Sequence, residues 1–409
     1  MKLAALLLAI LATAVPGRTL AQDFVQRGTL EYKGYFFPQL VPNDSAHAVG
    51  EALFRYEIEK VLIPNLRLSG ATETRLDTHH QVKRKFYVNW SDRELQRPAF
   101  SIRRLSFIYN KSGWTVEVGK QAVRWGKADI LNPTDRFAPR DFLSVVDTDF
   151  LPVTAARAIY EGKSDSFEIV VQPRFTPSRT PLLNQRWTVL PPELEGVPIN
   201  DLGHRIPGGA QTGARWNHLG RGYEMSLSFY DGHNHLPLLE GQPAILGFDV
   251  QRWYPAIRTY GADAAVPLTW FTLKGEGAYF TTTDARADEY LLYVIQLERQ
   301  VGELSLIGGY SGEWVTDRRS PFQFAPDRGI SRSFLGRATY TISSKRSAAV
   351  EYAIRQNLDG AWLRSEFSQM LGNNWRAIAG FTLIRGEPTD FLGQYRRNSH
   401  FSLILRCNF

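Results

Sequence analysis

The stretch from Val118 to Phe142, VGKQAVRWGKADILNPTDRFAPRDF, holds the densest set of side chains able to act on another molecule. Arg124, Lys127, Arg136 and Arg140 are interspersed with Asp129, Asp135 and Asp141, while Asn132-Pro133 and Ala138-Pro139 set turns. Opposed charges across a narrow aqueous gap orient polar solutes and sort them by size and charge, with no bond made or broken. The competing reading is an external loop tied by its own salt bridges. Neither requires a cofactor, and none is expected.

Covalent chemistry finds little footing. His79-His80 and His233-Asn234-His235 fall in loop-like segments without the cysteine or carboxylate partners that metal spacing needs, so they are expected to be solvated and to hold no metal. A hydrolase would need Ser with His, or acids with His, converging in space, and no recognisable motif does this. Nucleic acid is not expected either, since no basic helix, zinc spacing or stacking-aromatic motif occurs. The one cysteine, Cys407, rules out an internal disulfide.

The elements that position the charged stretch alternate with a period of two. In Phe54-Arg55-Tyr56-Glu57-Ile58-Glu59 apolar and charged side chains take turns, as they do in Trp114-Thr115-Val116-Glu117-Val118. Tyr223, Met225, Leu227 and Phe229 likewise alternate with Glu224, Ser226, Ser228 and Tyr230. A soluble sandwich would bury the apolar faces. The connections argue otherwise. Tight turns at 63–65, 110–113, 162–165, 219–221, 265–267, 300–302, 343–346 and 371–374 are interleaved with loops over 38–48, 77–98, 122–154, 175–210, 232–254 and 316–331, and shorter ones near 284, 358 and 390. Short and long alternate as in an all-β, antiparallel, up-and-down transmembrane barrel, here of about 18 strands of about ten residues.

The chain ends agree. An apolar run from Leu3 to Val15, followed by Thr19-Leu20-Ala21, reads as a removed export signal over 1–21. Residues 22–409 are then one barrel, with 122–154 inserted as a possible constriction, and no room for a plug precedes the first strand. The net charge of +7 falls to about +5 without Lys2 and Arg18, compatible with anionic partners.

At the other end, Phe401, Leu403, Leu405, Cys407 and Phe409 face one way, and His400, Ser402, Ile404, Arg406 and Asn408 the other. Unpaired backbone groups are too costly in lipid, so this strand must close onto the first, near Thr29 to Phe37. Its alternation and terminal Phe409 resemble the C-terminal signature of Gram-negative outer-membrane barrels, which the barrel-assembly machinery reads. Tyr109, Trp114, Tyr160, Trp216, Tyr223, Tyr279, Tyr310, Tyr340 and Trp375 fall near the ends of apolar faces, where rings prefer the headgroup level.

With apolar faces in lipid, the other faces line the lumen: Arg55, Arg67, Arg104, Arg157, Arg215, Arg337, Arg355, Arg364 and Arg376, with Glu57, Glu73, Glu117, Glu161, Glu224, Glu276, Glu351 and Glu366. A soluble core could not bury such a set unpaired. It either lines a selective pathway or forms cross-strand ion pairs that stiffen the wall. Mixed signs predict at most a mild anion preference.

The charged stretch opens the third long loop, which in general porins folds inward. Gly119-Lys120-Gln121, Trp125-Gly126 and Asn132-Pro133 are similar to the G-[RK]-Q, W-G, N-P pattern of alginate-export-like, porin-like barrels, with Lys120 where Arg is commoner. The resemblance implies a passive outer-membrane channel for small polar or anionic solutes, a monomer or homotrimer, without implying a polysaccharide substrate. Lys83-Arg84-Lys85 and Arg396-Arg397 would meet lipopolysaccharide phosphates or simply water. The alternatives are a non-conducting barrel for adhesion, secretion or surface assembly, or, less favoured, a barrel hydrolase.

Overall fold

The computed structural model describes residues 24–409 except 86, 191–193, 195 and 321–323. The export signal expected over 1–21 lies outside the described residues.

Alternating segments become strands because one pleated face is apolar throughout. The barrel strands are β1 (Phe24–Phe36), β2 (Ala48–Ile63), β3 (Leu66–Asp77), β4 (Phe100–Lys111), β5 (Trp114–Gln121), β6 (Val153–Glu161), β7 (Asp165–Gln172), β8 (Gln211–Gly220) and β9 (Tyr223–His233). They continue as β10 (Ala256–Pro267), β11 (Thr272–Thr281), β12 (Glu289–Val301), β13 (Leu304–Asp317), β14 (Ser333–Ser343), β15 (Arg346–Arg355), β16 (Gly360–Leu371), β17 (Trp375–Gly386) and β18 (His400–Asn408). All belong to one 18-stranded sheet. β1 pairs with β18 from Thr29 opposite Asn408 to Phe36 opposite Phe401, so the sheet is closed and has no edge. Phe409 completes the seam: its amide donates to the Gly28 carbonyl at 3.0 Å and its own carbonyl accepts from Gly28 at 2.7 Å.

Short turns and long loops alternate as expected, with one shift. β10 runs through Pro267 and the turn follows at 268–271, closed by the Leu268 amide on the Phe271 carbonyl. At the far end lie loops L1 (37–47), L2 (78–99), L3 (122–152), L4 (173–210), L5 (234–255), L6 (282–288), L7 (318–332), L8 (356–359) and L9 (387–399). Within them, Ile199–Arg205 of L4 pairs parallel to Gly247–Trp253 of β-hairpin L5, tying the two loops into one outer sheet.

The outer face is the greasy one. Phe107, Phe167, Ile169, Leu227, Ile295, Phe401 and Leu403 are exposed, whereas Glu31, Glu73, Glu168, Arg215, Asp263 and Glu276 are buried. That polarity is the inverse of a soluble protein and suits a hydrocarbon surround. Tyr109, Trp114, Tyr160, Tyr223, Tyr340 and Trp375 form an exposed aromatic row near the short turns.

The inner face departs from expectation in composition. Alternation predicts polar or charged inner faces, yet Val153, Val170, Tyr230, Ile257, Phe280, Tyr290, Leu292, Val294 and Leu335, on the inner register positions of β6 to β14, are buried and form an apolar cluster. They pack against Val123, Trp125, Leu131 and Phe137 of L3. A core therefore exists inside the barrel, between wall and loop.

Candidate functional site

L3 leaves the wall at the end of β5. Gly119 has φ +129°, and a Cβ there would lie 2.2 Å from the Leu105 carbonyl, so only glycine fits. After this break both Lys120 and Gln121 are buried, which strict alternation forbids. Beyond Leu105 the edge of β4 loses β5 as partner, and L2 takes its place: Asn89 donates to the Phe100 carbonyl at 3.3 Å and accepts from Ile102 at 3.1 Å.

The first bend of L3 is built on Asp135, whose carboxylate accepts from the Trp125 and Gly126 amides at 2.5 and 2.8 Å and meets Arg124 at 3.2 Å. Glu276, on the inner face of β11, then grips the loop. One of its oxygens accepts from the Lys127 and Ala128 amides, the other from the Thr134 amide and hydroxyl, at 2.8–2.9 Å. Lys127 reaches Glu224 at 2.8 Å and Asp263 at 3.2 Å, and Asp129 reaches Lys274 at 3.0 Å. Trp125 donates to Glu168 at 2.8 Å, while Arg215 donates to the Trp125 carbonyl and to Asp263. The rings of Trp125, Phe137 and Tyr230 meet edge to face, centroids 5.2 and 5.1 Å apart, above Gly213.

The return half of L3 is held by charge. Asp141 accepts from Arg97 of L2 at 2.9 and 3.1 Å and from Arg179 of L4 at 3.2 Å, and Arg179 also binds Asp92, which pairs with Lys120 at 2.5 Å. Burial pushes the Asp141 carboxyl up, but Arg97 and Arg179 outweigh it and hold the group well below the usual carboxylate range. Arg124 and Arg140 lie against the Phe150 ring at 4.0 and 4.2 Å. Arg136 lies over Phe280 at 4.8 Å. Asp147, near the end of the loop, accepts from the Tyr35 hydroxyl on β1 at 2.6 Å.

The seven charges picked out along L3 are thus brought together, but in two roles. Asp135 and Asp141 are enclosed and anchor the loop; Asp141 is not a charge offered to a gap, because its oxygens are already filled by two guanidinium groups. Arg136 and Arg140, with Asp129 and Asp135, line a cavity of about 280 Å³ that also takes in Leu131, Leu335, Trp362 and Glu351.

The wall residues all take inner positions in the register, and most are paired. Arg55 binds Glu73 at 2.5 Å, Arg157 binds Glu168 at 2.7 Å, Arg355 binds Asp390 at 2.9 Å and Arg364 binds Glu366 at 2.5 Å. Arg104 with Glu57 and Arg337 with Glu351 are looser, at 3.6 Å. Glu117 accepts from Ser106 at 2.6 Å. Arg67 and Arg376 make no ion pair among the described residues. Of the two readings of these charges, cross-strand pairing describes the larger share.

Several participants escape sequence reasoning. A register shift at Ala71/Thr72 turns both Arg103 and Arg104 inward, and Arg103 meets Asp149 at 3.0 Å; adjacent arginines were the only signal. Glu31, Lys33 and Glu51 obey the same alternation as the rest and were legible. Arg97, Arg179 and Arg186 come from loops and had no signal. The histidines also differ from expectation. His79 contacts Asp44 at 2.6 Å, and His235 is buried, stacked on Phe175 at 5.2 Å and set between the Thr176 and Arg136 carbonyls. Burial pushes the His235 imidazole down to about 4.

A second cavity, of about 380 Å³, runs along β1, β2 and β18 from Phe37, His79 and Trp187 at the loop end as far as Thr29, Arg55 and Asn408. Its mouth is crossed by L4, where Arg186 stacks on Phe37 at 3.7 Å and bonds Asn398 and the Ala46 carbonyl at 3.3 and 3.0 Å.

Fold and site together define a porin-type barrel, a closed 18-stranded wall crossed by its third loop. No protein-family model matches the chain, and no curated protein matches it. Among solved structures it is similar to a BenF-like porin from Pseudomonas fluorescens, with 11% identity, 96% of this chain and 99% of that one covered, and a TM-score of 0.56. It is also similar to OpdK, an outer membrane protein of Pseudomonas aeruginosa, at 10% identity, 95% and 100% coverage and a TM-score of 0.55. OccAB4 of Acinetobacter baumannii follows at 9%, 95%, 98% and 0.53. At these identities the likeness is one of fold.

Proposed function

We propose that the protein is an outer-membrane, porin-like channel for passive diffusion of small polar or anionic solutes, with its short turns in the periplasm and L1 to L9 outside. The observation that carries this reading is the 380 Å³ cavity inside the barrel, running from the loop end along a wall of ionised side chains that includes Lys33, Arg55 and Arg406. L3 is the constriction in this reading, because its backbone is clamped to the far wall by Glu276 and its own charges face both cavities. Terminal Phe409 would be the contact for barrel assembly, and the exposed Arg397 would meet lipopolysaccharide. The motif at Gly119-Lys120-Gln121 supports an alginate-export-like variant of the porin barrel, for it builds the bend at which L3 leaves the wall.

Reconstitution tests the function. Stepwise currents in planar bilayers and swelling of vesicles in a small sugar are expected; silence in both would remove the channel. A second reading, a barrel that conducts little and works through its outer loops, draws on the L4 segment that crosses the mouth of the large cavity. Silence in both assays would favour it.

A further inference from the structure

The two cavities inside the barrel differ in character and meet at one place. The larger is lined mostly by charge; the smaller mixes Leu131, Leu335, Trp362 and Phe391 with Arg136 and Arg140 and the carboxylates Asp129, Asp135, Asp327 and Glu351. The residues that line both are Val146 and Thr148, on either side of Asp147. Asp147 lines the larger cavity, on the strip of L3 that has the smaller cavity on its other side.

Its surroundings are unlike those of the other L3 carboxylates. Asp141 is filled by two close guanidinium groups, whereas Asp147 has one close partner, the Tyr35 hydroxyl at 2.6 Å. Lys33 and Arg364 stand off at 3.7 and 3.8 Å, within reach of attraction but beyond hydrogen-bond length. Both cations also lean on a wall carboxylate, Lys33 on Glu31 at 3.6 Å and Arg364 on Glu366 at 2.5 Å. The Lys33 ammonium and the Arg364 Nη1 make no hydrogen bond among the described residues, so each keeps donors to offer. The side chains of Lys33, Asp147 and Arg364 are 24%, 26% and 27% exposed, open enough for a solute to touch.

We propose that Asp147 is a resident counter-anion, holding the seat between Lys33, Arg364 and Tyr35 that the anionic group of a passing solute takes in its place. The idea rests on the channel reading above and sharpens it. When a small monoanion reaches this seat, it bonds the free donors of Lys33 and Arg364, and the Asp147 side chain swings aside while L3 keeps its anchors. One negative charge replaces another, so neither cation is left bare in a confined space, which would be costly. A neutral solute brings no charge and cannot make the exchange. Burial pushes the Asp147 carboxyl up, but Lys33, Arg364 and the Tyr35 hydroxyl outweigh it, so the seat is occupied by an anion at any physiological pH.

The test uses the whole barrel in planar bilayers with potassium chloride and acetate as the probe, comparing wild type, Asp147→Asn and Arg364→Gln. Removing the resident anion in Asp147→Asn is expected to lower the acetate concentration that halves the chloride current by up to about fivefold, the scale of one partly exposed ion pair. The reversal potential across a chloride gradient should shift toward anions. Arg364→Gln should do the opposite, and it carries the test if Asp147→Asn does not assemble into a heat-resistant barrel. An unchanged acetate response in both variants overturns the proposal. So does an Asp147→Asn barrel that passes arabinose and acetate faster by the same factor, since the loop would then merely have come loose. A wild type that neither conducts nor admits arabinose removes the channel itself, an outcome distinct from a conducting barrel indifferent to Asp147.

Discussion

Glu276 on the wall and Thr134 on the crossing loop are joined twice through one carboxylate oxygen, which accepts from the Thr134 amide at 2.9 Å and from its hydroxyl at 2.8 Å. The second oxygen serves the Lys127 and Ala128 amides. Glu276→Gln turns one of these acceptors into a donor facing other donors, which should weaken the hold on L3 by about 2–3 kcal/mol. Limited proteolysis should then cut within 122–152 while the barrel keeps its resistance to heat in detergent. Unchanged cutting would show that the apolar cluster alone seats the loop.

The same seat has a packing component. Trp125 and Phe137 approach Gly213 so closely that an added Cβ would lie 2.7 Å from each ring, whereas at Gly275, on the outer face, nothing lies within 4 Å. Gly213→Ala should lift the loop at a cost of about 1–3 kcal/mol, and Gly275→Ala should be near neutral. Single-channel noise and tryptophan fluorescence in the two variants check the contrast.

Acid should act on L4 and L5 before it acts on L3. Burial pushes His204 of L4 down to about 4, Arg252 adding to the effect, and His235 of L5 is held as low. Their folded values lie below the unfolded one near 6.5, so the unfolded loops bind protons first. The stability the neutral His204 ring contributes is full above pH ~6.5 and is lost progressively as pH falls toward 4, by about 3 kcal/mol; His235 follows in the same direction, less steeply because two carbonyls flank its ring. Asp141 and Asp147 are held below the usual carboxylate range, so their contribution is present above pH ~4 and survives this window. Hydrogen exchange should therefore rise in L4 and L5 between pH 6.5 and 4 with L3 protected, and Tyr254→Phe, which removes the hydroxyl bonded to His204, should leave the direction of the trend in L5 unaltered. Simultaneous opening of L3 would contradict the assignment.

Closure of the sheet puts weight on its last residue. The Phe409 ring covers Gly28, where a Cβ would lie 2.3 Å from it, and the two residues exchange both backbone bonds. Phe409→Ala strips the cover but keeps the backbone pairing, so it should slow refolding into lipid vesicles several-fold while lowering final stability by about 3 kcal/mol or less. Refolding kinetics followed by gel mobility measure both.

The period-two alternation and the order of short turns and long loops were enough to read a closed, inside-out barrel of about 18 strands, because side chains one residue apart must face opposite sides of a sheet whatever surrounds it. Inner positions such as Arg157 and Glu168 follow from that parity alone. Their partners do not. Which charges meet depends on the stagger between strands, and the bulge that sends both Arg103 and Arg104 inward changes it by one residue. Nor could parity show that Tyr230, Phe280 and Leu292 face inward against L3 instead of water, since an apolar residue reads alike under lipid or under a loop. The path of L3, the enclosure of Asp141 by Arg97 and Arg179, and the standing of Asp147 between two cavities belong to the tertiary structure. They arise from contacts between segments far apart along the chain, and local sequence carries no record of where such segments meet.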